Sequence, residues 1–173
     1  NYITISFEDI TNFELREKVG KHLEKEIKNI LKLNTINENA SCLIIGLGNS
    51  LSTPDSLGPK VLKNILVTSP LFSINENIKG MRKVYAICPG VMASTGIETA
   101  DIIFSLVNKI KPDFIIAIDA LASNNVEYIN KTIQITDTGI HPGSGIGNNR
   151  TEISKKTTGI PVIAIGVPTV VLS

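Results

Sequence analysis

Two short runs constrain this chain more than anything else in it. Cys42-Leu43-Ile44-Ile45-Gly46-Leu47 and Phe114-Ile115-Ile116-Ala117-Ile118 contain no charged side chain and do not alternate with polar ones. A strand with one solvated face alternates. A strand that does not alternate is buried on both faces, as in parallel sheets covered by helices. Pro161-Val162-Ile163-Ala164-Ile165-Gly166-Val167 is a third run of this kind, and Val84-Tyr85-Ala86-Ile87 is a shorter candidate. Thr132-Ile133-Gln134-Ile135-Thr136 does alternate and reads as a half-exposed strand.

Helical patterns lie between these runs. Leu15, Val19, Leu23, Ile27 and Leu31, with Ile30 beside them, form one apolar stripe on a helix predicted to end near Leu33. Thr11 and Glu14 have the spacing of a capping box at its start. His22 falls on the Lys- and Glu-rich face and reads as a solvated surface residue. Pro59 suits a first helical turn, with Val61, Leu62, Ile65 and Leu66 as the apolar face and Thr68-Ser69-Pro70 as the stop. A second capping box, Thr95 and Glu98, precedes the stripe Ile97, Ile102, Ile103, Leu106, Val107 and Ile110, and Lys111-Pro112 ends it. Strands alternating with helices predict an α/β fold: a mostly parallel twisted sheet with helices on both faces.

The length of 173 residues fits one domain, spanning residues 1–173. A formal charge of +1 leaves no basic footprint for nucleic acid or an anionic membrane, and 5% aromatics with no Trp argues against a base-stacking platform. No apolar run is long enough to span a bilayer, and the N-terminus is not built like a signal peptide. Cys42 and Cys88 form no disulfide framework, which suits a reducing, intracellular (cytoplasmic) setting. The chain opens on Asn1 rather than Met, so an upstream segment is expected.

In a parallel sheet, ligands bind at the carboxyl ends of the strands. The loops after Leu47, Ile87 and Ile118 should therefore share a rim, and two of them carry an acid. Asp55 lies in Ser52-Thr53-Pro54-Asp55-Ser56, and Asp119 follows five apolar residues directly. Asp119 also suits an N-cap, and Asp55 a turn residue. A carboxyl at the end of a buried run is desolvated, which raises its pKa. Two such groups close together share one proton, leaving one acid and one base near neutral pH. Such a pair can activate water against a peptide bond, and it needs no cofactor.

Other constellations are weaker. Gly46-Leu47-Gly48-Asn49-Ser50-Leu51 lacks the third glycine of a dinucleotide fingerprint, and Thr53-Pro54 disturbs the helix start that motif needs. Gly143-Ser144-Gly145-Ile146-Gly147 is not followed by the Lys-Ser or Lys-Thr of a phosphate loop, and Ser144 lacks the glycines of a nucleophile elbow. Cys88 with His141 is a possible thiol pair. Asp55, Asp119 and His141 together are a possible divalent-metal set, which gives a metallopeptidase as the rival reading.

Across these same segments the chain resembles the germination proteases of spore-forming bacteria. The likeness runs from Cys42 to Leu172. It rests on Gly46-Leu47-Gly48-Asn49 with Thr53-Pro54-Asp55 and Leu57-Gly58-Pro59, on Cys88-Pro89-Gly90-Val91-Met92, and on Thr95-Gly96-Ile97-Glu98-Thr99. It rests further on Lys111-Pro112-Asp113 through Ile118-Asp119-Ala120-Leu121-Ala122, on Asp137-Thr138-Gly139-Ile140-His141-Pro142-Gly143-Ser144-Gly145, and on Gly166-Val167-Pro168-Thr169. The resemblance implies an endopeptidase that begins the breakdown of small acid-soluble spore proteins at germination, in the spore core. It further implies a zymogen that loses an N-terminal pro-segment, a homotetramer, and a fold related to hydrogenase maturation endopeptidases. The family's essential aspartates fall on Asp55 and Asp119, with no metal cofactor. Members of that family are longer than this chain, so it reads as a fragment lacking the pro-segment and the C-terminal part. A non-catalytic sporulation domain of the same fold is the rival of another class.

Overall fold

The computed structural model describes residues 1–143 and 150–172. Among them six strands form one sheet: β1 (Tyr2–Ser6), β2 (Cys42–Gly46), β3 (Val84–Ile87), β4 (Phe114–Ser123), β5 (Thr132–Thr136) and β6 (Val162–Val171). The helices are α1 (Phe13–Leu33), α2 (Leu57–Leu62), α3 (Ser69–Phe72), α4 (Met92–Thr95), α5 (Thr99–Ile110) and α6 (Lys155–Thr158). The strand order is β1-β5-β6-β4-β2-β3. β6, β4, β2 and β3 run parallel, whereas β5 is antiparallel to β6 and β1 to β5. The expected α/β sheet with helices on both faces is what the chain forms. None of its described helices is long and apolar enough to cross a membrane.

The unalternating runs explain the layering. Leu43, Ile45, Ile115, Ala117 and Val162 point to one face and pack on Ala100, Ile103 and Val107 of α5. Cys42, Ile44 and Ile118 point to the other, against Leu57, Val61 and Leu62 of α2. Ile163 and Ile135 lie on that second face too, under Ile30, Ile27 and Leu23 of α1. Both faces of the central strands are therefore covered by helix stripes, which is why neither needs a polar position.

Several boundaries differ from the sequence expectation. Asn12, not Thr11, caps α1: its side chain accepts from Leu15 N at 3.1 Å. Thr11 is occupied by Asp9, whose carboxylate takes both its N–H and its hydroxyl. The second capping box does not form. Thr95 ends α4, Gly96 turns left-handed at φ +71°, and Glu98 stands at the cap position of α5 without capping it. Ile97 is consequently outside the helix and exposed. α2 stops at Leu62, so Leu66 is exposed, and Ser69-Pro70 begins α3 instead of ending α2. β1 carries no strong signal of its own. It alternates exposed and half-buried positions and is held by full pairing with β5, Tyr2 opposite Thr136 through Ser6 opposite Thr132.

Candidate active site

The sheet reverses its winding between β2 and β4. From β2 the chain passes through α2 on one face to β3, and from β3 it returns through α5 on the other face to β4. Neighbouring strands whose connections leave in opposite directions open a crevice at their carboxyl ends, where ligands bind in such sheets. A cavity of about 550 Å³ lies there. Asp55 and Asp119 both line it.

Asp119 is not at a strand end. It is the sixth residue of ten in β4 and lies opposite Gly166 of β6. β2 ends at Gly46, opposite Ile118, so Asp119 emerges one residue beyond its shorter neighbour. The N-cap alternative for Asp119 is therefore wrong: no helix begins there, and the acid belongs to the ladder. It is 6% exposed. Burial, then the nearby charge of Asp55, raise its pKa to about 7, against a smaller opposing effect of the Ala120 N–H.

Asp55 ends a 3₁₀ turn, Thr53–Asp55, with Pro54 in its first turn. The loop that carries it is tight. Asn49 N–H donates to the Asp55 carbonyl at 2.9 Å, and Asp55 N–H donates to the Ser52 carbonyl at 2.9 Å. Gly48, at φ +109°, passes directly beneath this turn, where a Cβ would collide with the Asp55 carbonyl and sit 2.9 Å from its carboxylate. Glycine is the residue that fits. Gly46 and Gly58 bring β2 and α2 into backbone contact, since a Cβ on Gly46 would lie 2.6 Å from the Gly58 carbonyl. These glycines seat the acid-bearing turn against β2 and α2. Burial also raises the Asp55 pKa, opposed by the Asn49 N–H.

The family model described as germination protease matches residues 1–173. The chain belongs to the germination protease family. Germination proteases of Bacillus cereus (strain AH187), Bacillus thuringiensis subsp. konkukian (strain 97-27) and Bacillus anthracis (strain CDC 684 / NRRL 3495) are each 55% identical to it over 175 residues, covering 99% of this chain and 48% of theirs. The chain thus spans about half the length of these curated relatives. Among solved structures, the [NiFe] hydrogenase maturation protease HycI from Thermococcus kodakarensis KOD1 shares the fold. It has a TM-score of 0.51 at 18% identity, covering 83% of this chain and 85% of that one.

Against this family background the remaining sequence candidates separate. His141 is exposed and lines the same cavity as the two acids. It does not close a metal set with them: among the described residues no group of three or more His, Cys, Asp or Glu side chains could hold an ion. Cys88 is exposed and does not line the cavity, so the Cys88–His141 pair is not assembled there. Burial also raises the Cys88 thiol above its ordinary value, partly offset by Lys63, which is the wrong direction for an activated nucleophile. Ser144, Gly145, Ile146 and Gly147 lie outside the described residues. Sequence reasoning missed Arg150 and Thr169, which also line the cavity. Neither sits in a spacing that marks it, and each arrives from a later segment of the chain.

Proposed function

We propose that this chain carries the catalytic centre of an endopeptidase that initiates breakdown of small acid-soluble spore proteins at germination, with Asp55 and Asp119 as its acid–base pair. The observation that carries the reading is that two carboxyls line one cavity, Asp119 buried in the sheet and Asp55 half-buried on the adjoining turn, with burial raising the pKa of each. Membership of the germination protease family supports the reaction class. The resemblance set out from the sequence supports the substrate, the zymogen, the homotetramer and the spore-core location.

Asp55 as carboxylate takes a proton from a water lying in the cavity, and the oxygen attacks the scissile carbonyl carbon. Asp119 gives its proton to the carbonyl oxygen, so a neutral gem-diol forms. Asp55 then returns its proton to the amide nitrogen, the C–N bond breaks, and a gem-diol hydroxyl restores the proton on Asp119. General acid–base transfer of this kind needs one protonated and one ionised partner at the working pH.

The test is cleavage of a purified small acid-soluble spore protein by the full-length enzyme and by its Asp55→Asn and Asp119→Asn variants. Both variants should be inactive while folded. Near-normal turnover in both removes the pair from the mechanism. Binding of the spore protein without any cleavage by the parent enzyme would favour the non-catalytic alternative.

A further inference from the structure

The partners of β6 leave one residue over. Ala120 lies opposite Val167 and Leu121 opposite Pro168, but Ala122 lies opposite Val170. Thr169 is the extra residue of a β-bulge, an uncommon feature in a parallel pair. Pro168 accounts for its place, because it has no N–H to give to the ladder. Bulges near active sites re-aim a side chain. Here the Thr169 hydroxyl is aimed across the rim and donates to the Pro54 carbonyl at 2.6 Å.

We propose that Thr169 is a positioning residue for Asp55, its bulged hydroxyl holding the acid-bearing turn to the sheet that carries Asp119. This rests on the acid–base pair proposed above. Among the described residues, the other hydrogen bonds on the turn Thr53–Asp55 come from residues 49–56 of the same loop. The loop is thus closed on itself, and Thr169 ties it to another element. The same strand faces the second acid, since Gly166 of β6 is the register partner of Asp119. Thr169 lies three positions beyond Gly166 on β6, so one strand contacts both acid-bearing segments. A regular strand would give the position at 169 a ladder partner in β4 instead of a free aim at Pro54.

The chemical consequence follows from geometry. A misplacement of about 1 Å in a reacting group lowers turnover by about 100-fold. Release of the turn also lets Asp55 move relative to Asp119, which alters how strongly one charge acts on the other. The charged and titratable side chains lining the cavity around this pair are Asp55, Asp119, His141 and Arg150.

The experiment compares full-length parent, Thr169→Val and Thr169→Ser on a purified small acid-soluble spore protein, with kcat, KM and the pH profile of kcat measured for each. Val keeps the branched shape and β-propensity without the hydroxyl, and Ser keeps the hydroxyl. Thr169→Val should lose about 10- to 100-fold in kcat with little change in KM, and its alkaline limb should move relative to the parent. Thr169→Ser should regain most of the rate and the parental limb. If Val disturbs the strand, Thr169→Ala makes the same comparison. A parental kcat and pH profile in the hydroxyl-free variants overturns the proposal, and so does a rise in KM alone, which would mark a substrate contact. Asp55→Asn and Asp119→Asn run alongside. Turnover surviving in both defeats the acid–base pair itself, whereas turnover lost in both but intact in Thr169→Val defeats only the role of Thr169.

Discussion

Replacing Asp119 with Asn removes a group that the folded chain and the unfolded chain hold in different states. Folded, Asp119 keeps its proton to about pH 7; unfolded, it releases it near the ordinary value of 3.8. Between those two values the native state binds more protons, so stability falls as pH rises through the window. A tenfold difference in proton affinity between the two states is worth about 1.4 kcal/mol. Raising the pKa from 3.8 to about 7 therefore corresponds to a loss on the order of 4 kcal/mol between about pH 4 and pH 7, with little further change from this group above it. Against a typical stability of about 5–15 kcal/mol that loss is large. Asn titrates in neither state. Urea unfolding of parent and Asp119→Asn, at half-unit steps from pH 4 to pH 8, isolates the effect. Any pH-independent change in packing or hydrogen bonding displaces the Asn curve as a whole and drops out of the comparison of slopes. The parent should weaken steadily relative to Asn up to about pH 7, leaving Asn relatively more stable at pH 8. Parallel curves across the window would refute the claim that Asp119 is held protonated by burial and by Asp55.

The same states predict a bell-shaped kcat profile for the full-length enzyme, falling on the alkaline side through about pH 7 as Asp119 ionises, and on the acid side as Asp55 gains a proton. Asp55→Asn should lower the Asp119 pKa below its parental value but leave it above 3.8, since burial is the larger cause; carboxyl NMR titration reads this directly. Gly58→Ala should lose about 2 kcal/mol or more in urea unfolding, because its Cβ would lie 2.5 Å from Leu47 N in a backbone-to-backbone contact. Asn12→Ala should lose about 1 kcal/mol as a lost helix cap, and should cost more than Thr11→Ala, whose side chain serves Asp9 instead.

The central layer was legible because burial on both faces removes polar residues from a strand, and Cys42–Leu47 and Phe114–Ile118 show that directly. Asp119 stood out for the same reason, as an acid set straight after five apolar positions. What the runs did not reveal was where the strands end. β4 continues through Ala120 to Ser123 because β6 pairs with it that far, a long-range contact that local pattern does not encode. β1 was missed because its pairing with β5 joins segments more than a hundred residues apart. Asn12 was overlooked because Thr11 fits the same motif, and the competing Asp9 bond decides between them. The bulge at Thr169 was invisible, since a bulge is a property of two strands in register.

The two acids differ in how they are mounted. Asp119 is built into a strand that β6 pairs through and beyond it and that β2 pairs up to the residue before it, so its backbone is held by the sheet. Asp55 hangs from a three-residue turn. Anyone transplanting this centre into another scaffold would have to carry over a stiff sheet for one carboxyl but only a tethered loop for the other. Fine adjustment of the spacing between them is thus a matter of loop engineering.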